Sequence, residues 1–176
     1  MTHIMLDLET WGTAPGSALR SIGAVAFNPE SGELGATFYR NISDESCEDM
    51  GLSKDPETVA WWAGQSAEAQ TQLLEDPQHI MDVLESFGEY WHKAGGVHVW
   101  GHGASFDPVL LEAAYRACWL KAPWDFWNTR CCRTVLAMAN RKPAREGGTH
   151  HNALDDARAQ AKAVAAAFRT KQFNPR

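Results

Sequence analysis

The chain has 176 residues, enough for one well-buried domain, and an ordinary globular composition. Its 16 Lys and Arg against 22 Asp and Glu give a net charge of -6, which argues against a protein that grips nucleic acid by charge alone. No apolar run is long enough to span a bilayer, no basic-then-apolar leader opens the chain, and Cys47, Cys118, Cys131 and Cys132 lack CxxC spacing, so reduced thiols in a cytoplasmic compartment are expected.

In chain order, residues 2–8 read as a strand, because Ile4, Leu6 and Leu8 alternate with Met5, Asp7 and Glu9. Gly12, Pro15 and Gly16 make a loop, 20–28 a second strand, Pro29-Glu30-Ser31-Gly32 a turn, and 34–42 a third strand, together an antiparallel meander. Residues 41–54 are polar and loop-like. Asp55-Pro56 then starts a helix, as an N-cap followed by proline at the first helical position. Ser66 caps a second helix to about residue 74, and Ile80, Val83, Leu84, Phe87 and Trp91 form the apolar stripe of a third, ended by Gly95-Gly96. A short strand over 97–100, a helix opening at Asp107-Pro108, a fifth strand over 124–127 and a helix over 133–139 follow. Residues 141–148 are basic and glycine-rich and read as a mobile loop. Asn152 caps a final helix whose Leu154, Ala157, Ala161, Val164, Ala165 and Phe168 form the buried stripe. This order predicts an α/β fold, a five-stranded mixed sheet flanked by helices, in one domain over 1–176 with no repeat and no linker.

Acidic residues recur where these elements end. Asp7 and Glu9 close the first strand on one face, where two carboxylates repel and resist desolvation; a hard divalent cation resolves the conflict, while a strand end turning into solvent is the bland alternative. Asp107 follows the fourth strand, and Asp155 and Asp156 lie in the first turn of the last helix, just after His150-His151-Asn152. In open α/β sheets, sites gather at strand ends beside a topological switch, so these carboxylates and a histidine can share one cleft. Oxygen-only ligation suits Mg²⁺ or Mn²⁺ rather than zinc, and paired ions of that kind cleave phosphodiesters. Taken singly, an Asp in a first helical turn is a capping residue and a loop His is solvated; helical spacing alone does not choose between Asp155 and Asp156.

Asp7-x-Glu9, Asp107 after Phe106, and His151-x-Ala153-Leu154-x-Asp156 resemble the three motifs of the DEDDh exonucleases, the DnaQ-like group with an RNase H-like fold. Ser21-Ile22-Gly23-Ala24-Val25, Trp61-Trp62-x-x-Gln65-Ser66, Phe126-Trp127-Asn128 and Arg133-Thr134 are similar to the small phage and prophage members, described as exoribonuclease-like or exodeoxyribonuclease VIII-like. The resemblance covers nearly the whole chain. It implies a 3'-5' exonuclease with two divalent ions, Mg²⁺ or Mn²⁺. Asp7, Glu9 and Asp156 would hold the ion that activates water, Asp7 would also touch the second, Asp107 would act directly or through water, and His151 would be the general base. It selects Asp156 over Asp155 and His151 over His150. His102 stands where relatives often carry asparagine.

The expected partners are single-stranded RNA or DNA 3' ends, with no membrane, and a homodimer by analogy. Candidate substrate contacts are Thr10, Trp61, Trp62, Gln65, His102 and Phe106. With Val59 and Ala63 as the buried stripe of their helix, Trp62 falls at its edge, Trp61 farther round and Gln65 between the two indoles, an arrangement suited to stacking a base; packing in the core is the competing reading. The Arg141 to Arg145 cluster reads as either a solvated loop or a phosphate contact. A nucleic-acid- or partner-binding module that has lost activity is the rival function, and the absence of a His-Asp dipeptide counts against an HD-type phosphohydrolase.

Overall fold

Two-residue periodicity and local turn chemistry build the first half of the sheet. β1 (His3–Thr10), β2 (Leu19–Phe27) and β3 (Leu34–Asn41) form the expected antiparallel meander in a computed structural model that describes residues 1–141 and 152–171. The β2–β3 turn is closed by Asn28, whose Oδ1 accepts from the N–H groups of Glu30 and Ser31.

Four helices follow: α1 (Asp44–Asp49), α2 (Pro56–Ala63), α3 (Ala67–Gln72) and α4 (Ile80–Ala94). The caps expected at Asp55 and Ser66 are present, accepting from the N–H of Thr58 and Ala69. Gly95 ends α4 in the left-handed conformation. α1 lies in the stretch expected to be a loop. Its polar sequence hides a single buried corner: Ser43 caps it, Cys47 is fully buried, and the Ser46 hydroxyl accepts from the N–H of Ile80. The expected stripe of α2 is also corrected. Val59 and Ala63 are exposed, and Trp62 alone is buried.

β4 (His98–Gly101) pairs with β1 in parallel on the side away from β2, α5 (Asp107–Ala117) follows, and β5 (Thr129–Cys131) pairs with β4 in parallel. The strand order is β3-β2-β1-β4-β5, with β1 at the centre of the sheet. The fifth strand is not at 124–127. Trp124 packs edge-on to Tyr115 and tilted against Trp91, residues 126–128 make a single 3₁₀ turn, and pairing begins only at Thr129. β5 carries no apolar alternation, so periodicity could not find it.

α6 (Cys132–Met138) and α7 (Ala153–Lys171) complete the chain. The central strands are covered on both faces. Ile4, Leu6, Leu8 and Ile22 join Val83, Leu84, Phe87, Trp91, Leu110 and Leu111 in one core; Met5, Val25, Phe27 and Trp100 join Leu136, Ala157, Ala161, Val164 and Phe168 in the other. Each large side chain so buried contributes about 1.5 to 3 kcal/mol. Among the described residues no helix is long and apolar enough to cross a membrane, and all four cysteines are free.

Candidate active site

Alternation along β1 puts Met5, Asp7 and Glu9 on the face covered by α7. Met5 belongs to the core there; Asp7 and Glu9, farther along, reach the edge of that core. The register sets Asp7 opposite Gly23 and Glu9 opposite Ser21. Gly23 decides what can lie above them. A Cβ on it would stand 2.1 Å from the carbonyl carbon of Ala153 and 2.2 Å from the N of Leu154. Only glycine lets the start of α7 rest on β2 at this point.

The first turn of α7 is fixed by Asn152, whose Oδ1 accepts from the N–H groups of Leu154 and Asp155, each at 3.0 Å. Asp156 is thereby held over β1, and Asp7, Glu9 and Asp156 each offer a carboxylate oxygen within 4.8 Å of the others. Asp155 takes a different direction, toward an ion pair with Arg158 at 3.4 Å. Asp107 is almost fully buried beside this trio. Its Oδ1 accepts from the N–H of Leu8 at 3.3 Å and its Oδ2 from the N–H of His102 at 2.9 Å. Gly101 leaves room for it, since a Cβ there would be 2.8 Å from Oδ2.

The electrostatics follow from burial and like charge. Burial, then Asp107, Glu9 and Asp156, hold the Asp7 carboxyl well above the usual carboxylate range, against the Gln160 hydrogen bond. Glu9 is pushed up to about 8 by burial and then by Asp156, with Arg20 opposing. Asp107 is pushed up to about 6 by burial, which the backbone N–H groups and Arg133 partly offset. A cluster of this kind takes up protons unless a cation replaces them. Its donor set is oxygen alone, which fits a hard divalent cation of the Mg²⁺ or Mn²⁺ type.

The other expected residues fall in distinct places. Thr10 is buried, its hydroxyl donates to the carbonyl of Gly12 at 2.7 Å, and its own carbonyl accepts from the Trp62 indole at 2.9 Å. Trp62, 3% exposed, is thus a core residue and presents no face for stacking, whereas Trp61 is 48% exposed. The Gln65 side-chain amide donates to the carbonyl of Trp61 at 3.1 Å. His102 and Phe106 line a cleft of about 730 Å³ together with Asp7 and Asp107. The His102 ring is held below its usual pKa by burial and then by Arg133. His151, His150 and residues 142–145 of the basic cluster lie outside the described residues; Arg141 is exposed.

Two residues at the site, Gln160 and Arg20, escaped sequence reasoning, and a third, Arg133, was read only as part of the family resemblance and not as a site residue. Gln160 donates from Nε2 to Asp7 Oδ1 at 2.7 Å, and its position one helical turn after Asp156 was the available clue. Arg20 is buried with its guanidinium 3.9 Å from the Trp11 ring centroid and 4.4 Å from that of Trp62; a charge inside an apolar strand marks it. Arg133 lines the cleft next to His102 and Asp107.

The sequence profile of the 3'-5' exoribonuclease Rv2179c-like domain matches residues 2–168. No curated protein sequence matches the chain. Among solved structures, exonuclease X in complex with 5' overhanging duplex DNA is 17% identical, with a TM-score of 0.60 over 98% of this chain and 95% of that one. The nuclease domain of 3'hExo, a DEDDh family member bound to rAMP, is 14% identical, with a TM-score of 0.61 over 96% and 92%. E. coli exonuclease I in complex with a dT13 oligonucleotide is 12% identical, with a TM-score of 0.67 over 98% of this chain but 42% of that one. At these identities the likeness is one of fold, the five-stranded mixed sheet flanked by helices of the RNase H-like exonucleases.

Proposed function

The chain belongs to the family of Rv2179c-like 3'-5' exoribonuclease domains, and from that premise we propose that it releases nucleoside 5'-monophosphates from the 3' ends of single-stranded RNA or DNA with the help of two divalent ions, Mg²⁺ or Mn²⁺. The observation that carries the reading is the convergence of Asp7 and Glu9 from β1 with Asp156 from α7, their oxygens within 4.8 Å, beside the buried Asp107. Asp7, Glu9 and Asp156 would hold the cations, and Asp107 would act directly or through water. When bound, such ions supply the positive charge that makes water a nucleophile at neutral pH and offsets the charge of the leaving 3'-oxygen.

The chain's own groups do the rest. Gln160 fixes the rotamer of Asp7 by its hydrogen bond, and the N–H groups of Leu8 and His102 fix that of Asp107. His151 takes the proton of the attacking water as general base. Trp61, Thr10, His102 and Phe106 contact the terminal nucleotides. The sequence segments around Ser21, Trp61 and Phe126 support a place in the phage and prophage branch, the single five-stranded sheet supports one domain over 1–176, and the four free cysteines support a cytoplasmic setting. The exposed Trp119, Phe126 and Trp127 support a homodimer, which sedimentation would read directly.

One digestion series tests the central proposal: 3'-labelled and 5'-labelled RNA and DNA, single- and double-stranded, with Mg²⁺, Mn²⁺ or EDTA. Labelled mononucleotide should appear at once from 3'-labelled single strands, and a shortening ladder from 5'-labelled ones, with neither in EDTA. Oligonucleotide binding with no cleavage under any metal condition would mark an inactive binding module instead.

A further inference from the structure

The cleft beside the acidic cluster extends from Asp7 and Asp107, past the 102–106 loop, to Arg133, Thr134 and Met138 of α6, and its 730 Å³ or so is of the size that takes a small ligand. Its lining changes character along its length. The sheet end is acidic. The α6 end carries an exposed arginine, the one Lys or Arg in the lining among the described residues. Arg133 takes part in none of the ion pairs among those residues. Its charge nevertheless reaches both His102 and Asp107. Close to it, His102 Nε2 is buried with no hydrogen-bond partner, and Ser105 and Thr134 line the same space.

The chemistry of the proposed reaction limits what this arginine can meet. An enzyme that removes a 3'-terminal nucleotide acts on the phosphate at that nucleotide's 5' side. No phosphate lies beyond it in the 3' direction, so every further phosphate lies on the 5' side, one nucleotide away at the nearest. A chain of net charge -6 with four carboxylates at its site has few ways to hold that second anion. A guanidinium fork matches phosphate oxygens in geometry and charge. We infer that Arg133 binds the phosphate immediately 5' of the scissile one, making the α6 side of the cleft the subsite for the penultimate nucleotide. The inference rests on the proposed exonuclease reading and deepens it: the preferred minimal substrate is a dinucleotide that carries a 5'-phosphate. The competing account is that Arg133 only offsets the buried charge of Asp107, in which case it is blind to an added phosphate.

The test compares kcat/KM on a dinucleotide NpN and its 5'-phosphorylated form pNpN for wild type, Arg133→Gln and Arg133→Lys. Wild type should favour pNpN about tenfold or more, through KM, as a charge-assisted contact requires. Arg133→Gln should bring the ratio to about one, and Arg133→Lys should keep part of it. Thermal melting of both variants checks that they fold. In a separate binding assay on a single-stranded oligonucleotide, Arg133→Gln should lower the log–log salt slope by about 0.7, one phosphate's worth for a single strand. An unchanged ratio in Arg133→Gln, or no preference in wild type, overturns the inference. If wild type cleaves nothing, the exonuclease reading has failed, and the salt slope still decides whether Arg133 contacts phosphate.

Discussion

Replacing Glu9 by Gln separates the charge of the acidic cluster from its shape. Glu9 is buried at the end of β1, its carboxyl pushed up to about 8 by burial and then by Asp156, against the pull of Arg20. In the unfolded chain the same group titrates near 4.5. Between these values the folded state binds more protons than the unfolded one, so the stability present below about 4.5 is lost as the pH rises through about 8. Each pH unit is worth about 1.4 kcal/mol, which sets a ceiling of about 5 kcal/mol over the window. Proton sharing with Asp7 and Asp156 reduces the expected figure to about 2 to 4 kcal/mol. Gln has nearly the shape of the protonated acid and no charge to lose.

In EDTA, Glu9→Gln should therefore match wild type at the acid end of this window and exceed it by a growing margin toward the alkaline end, about 5 to 15 °C in Tm for a chain of this length. Thermal unfolding followed by circular dichroism at half-unit pH intervals measures the margin. Saturating Mn²⁺ should reverse the order at neutral pH, because the cation binds the intact set of carboxylates more tightly and stabilises the state that holds it. A difference that does not vary with pH, or a variant less stable than wild type in EDTA at the alkaline end, refutes the account of the cluster as repelling charges awaiting a cation.

Asp7→Asn and Asp156→Asn should each abolish cleavage while the fold persists; full activity of either at saturating Mg²⁺ would contradict the assignment. His151→Ala should lower kcat by about 10²- to 10⁴-fold with little change in oligonucleotide binding, and His150→Ala should do little, as single-turnover kinetics would read; equal effects would reverse the choice between these neighbours. Trp62→Ala removes a buried ring and the indole donor to Thr10, and should cost about 3 to 5 kcal/mol in urea unfolding. Trp61→Ala should leave the melting temperature nearly unchanged and raise KM for short oligonucleotides, by a stacking contribution of about 1 to 3 kcal/mol; a large loss of stability would place Trp61 in the core instead.

Period-two alternation identified β1, β2 and β3, and capping chemistry at Asp55, Ser66 and Asn152 identified three helix starts, because those signals act within a few residues. α1 and β5 were found by neither criterion, although Ser43 caps α1. Each is short and polar, and each exists through a contact made from afar: Ser46 receiving the N–H of Ile80, and β5 completing the ladder of β4. The pair Trp61 and Trp62 shows the same boundary. Their places on α2 followed from helical geometry, yet which ring is buried depended on the Thr10 carbonyl and the Arg20 guanidinium, fifty-two and forty-two positions away from Trp62 along the chain. Local chemistry carries the element boundaries, and long-range partners decide which side chain faces the core.

The acidic residues were readable, and the strand-end rule and the family resemblance pointed to one shared cleft, but the packing that brings them together was not. Asp7 and Glu9 share a face by strand geometry alone, and Asp107 ends up beside them because β4 runs parallel to β1. Asp156 arrives from the far end of the chain, and nothing in its own helix turn points it at β1. It gets there because Gly23 has no side chain to hold Ala153 away and because α7 faces the sheet with alanines at 157 and 161. A larger residue at 23 would lift the start of α7 and widen a cluster whose oxygens now lie within 4.8 Å. The small residues thus hold together four carboxylates that electrostatics alone would drive apart. The folded state accepts that repulsion because the cores on the two faces of the sheet supply far more stabilisation than the cluster removes, and a bound cation turns the same repulsion into affinity.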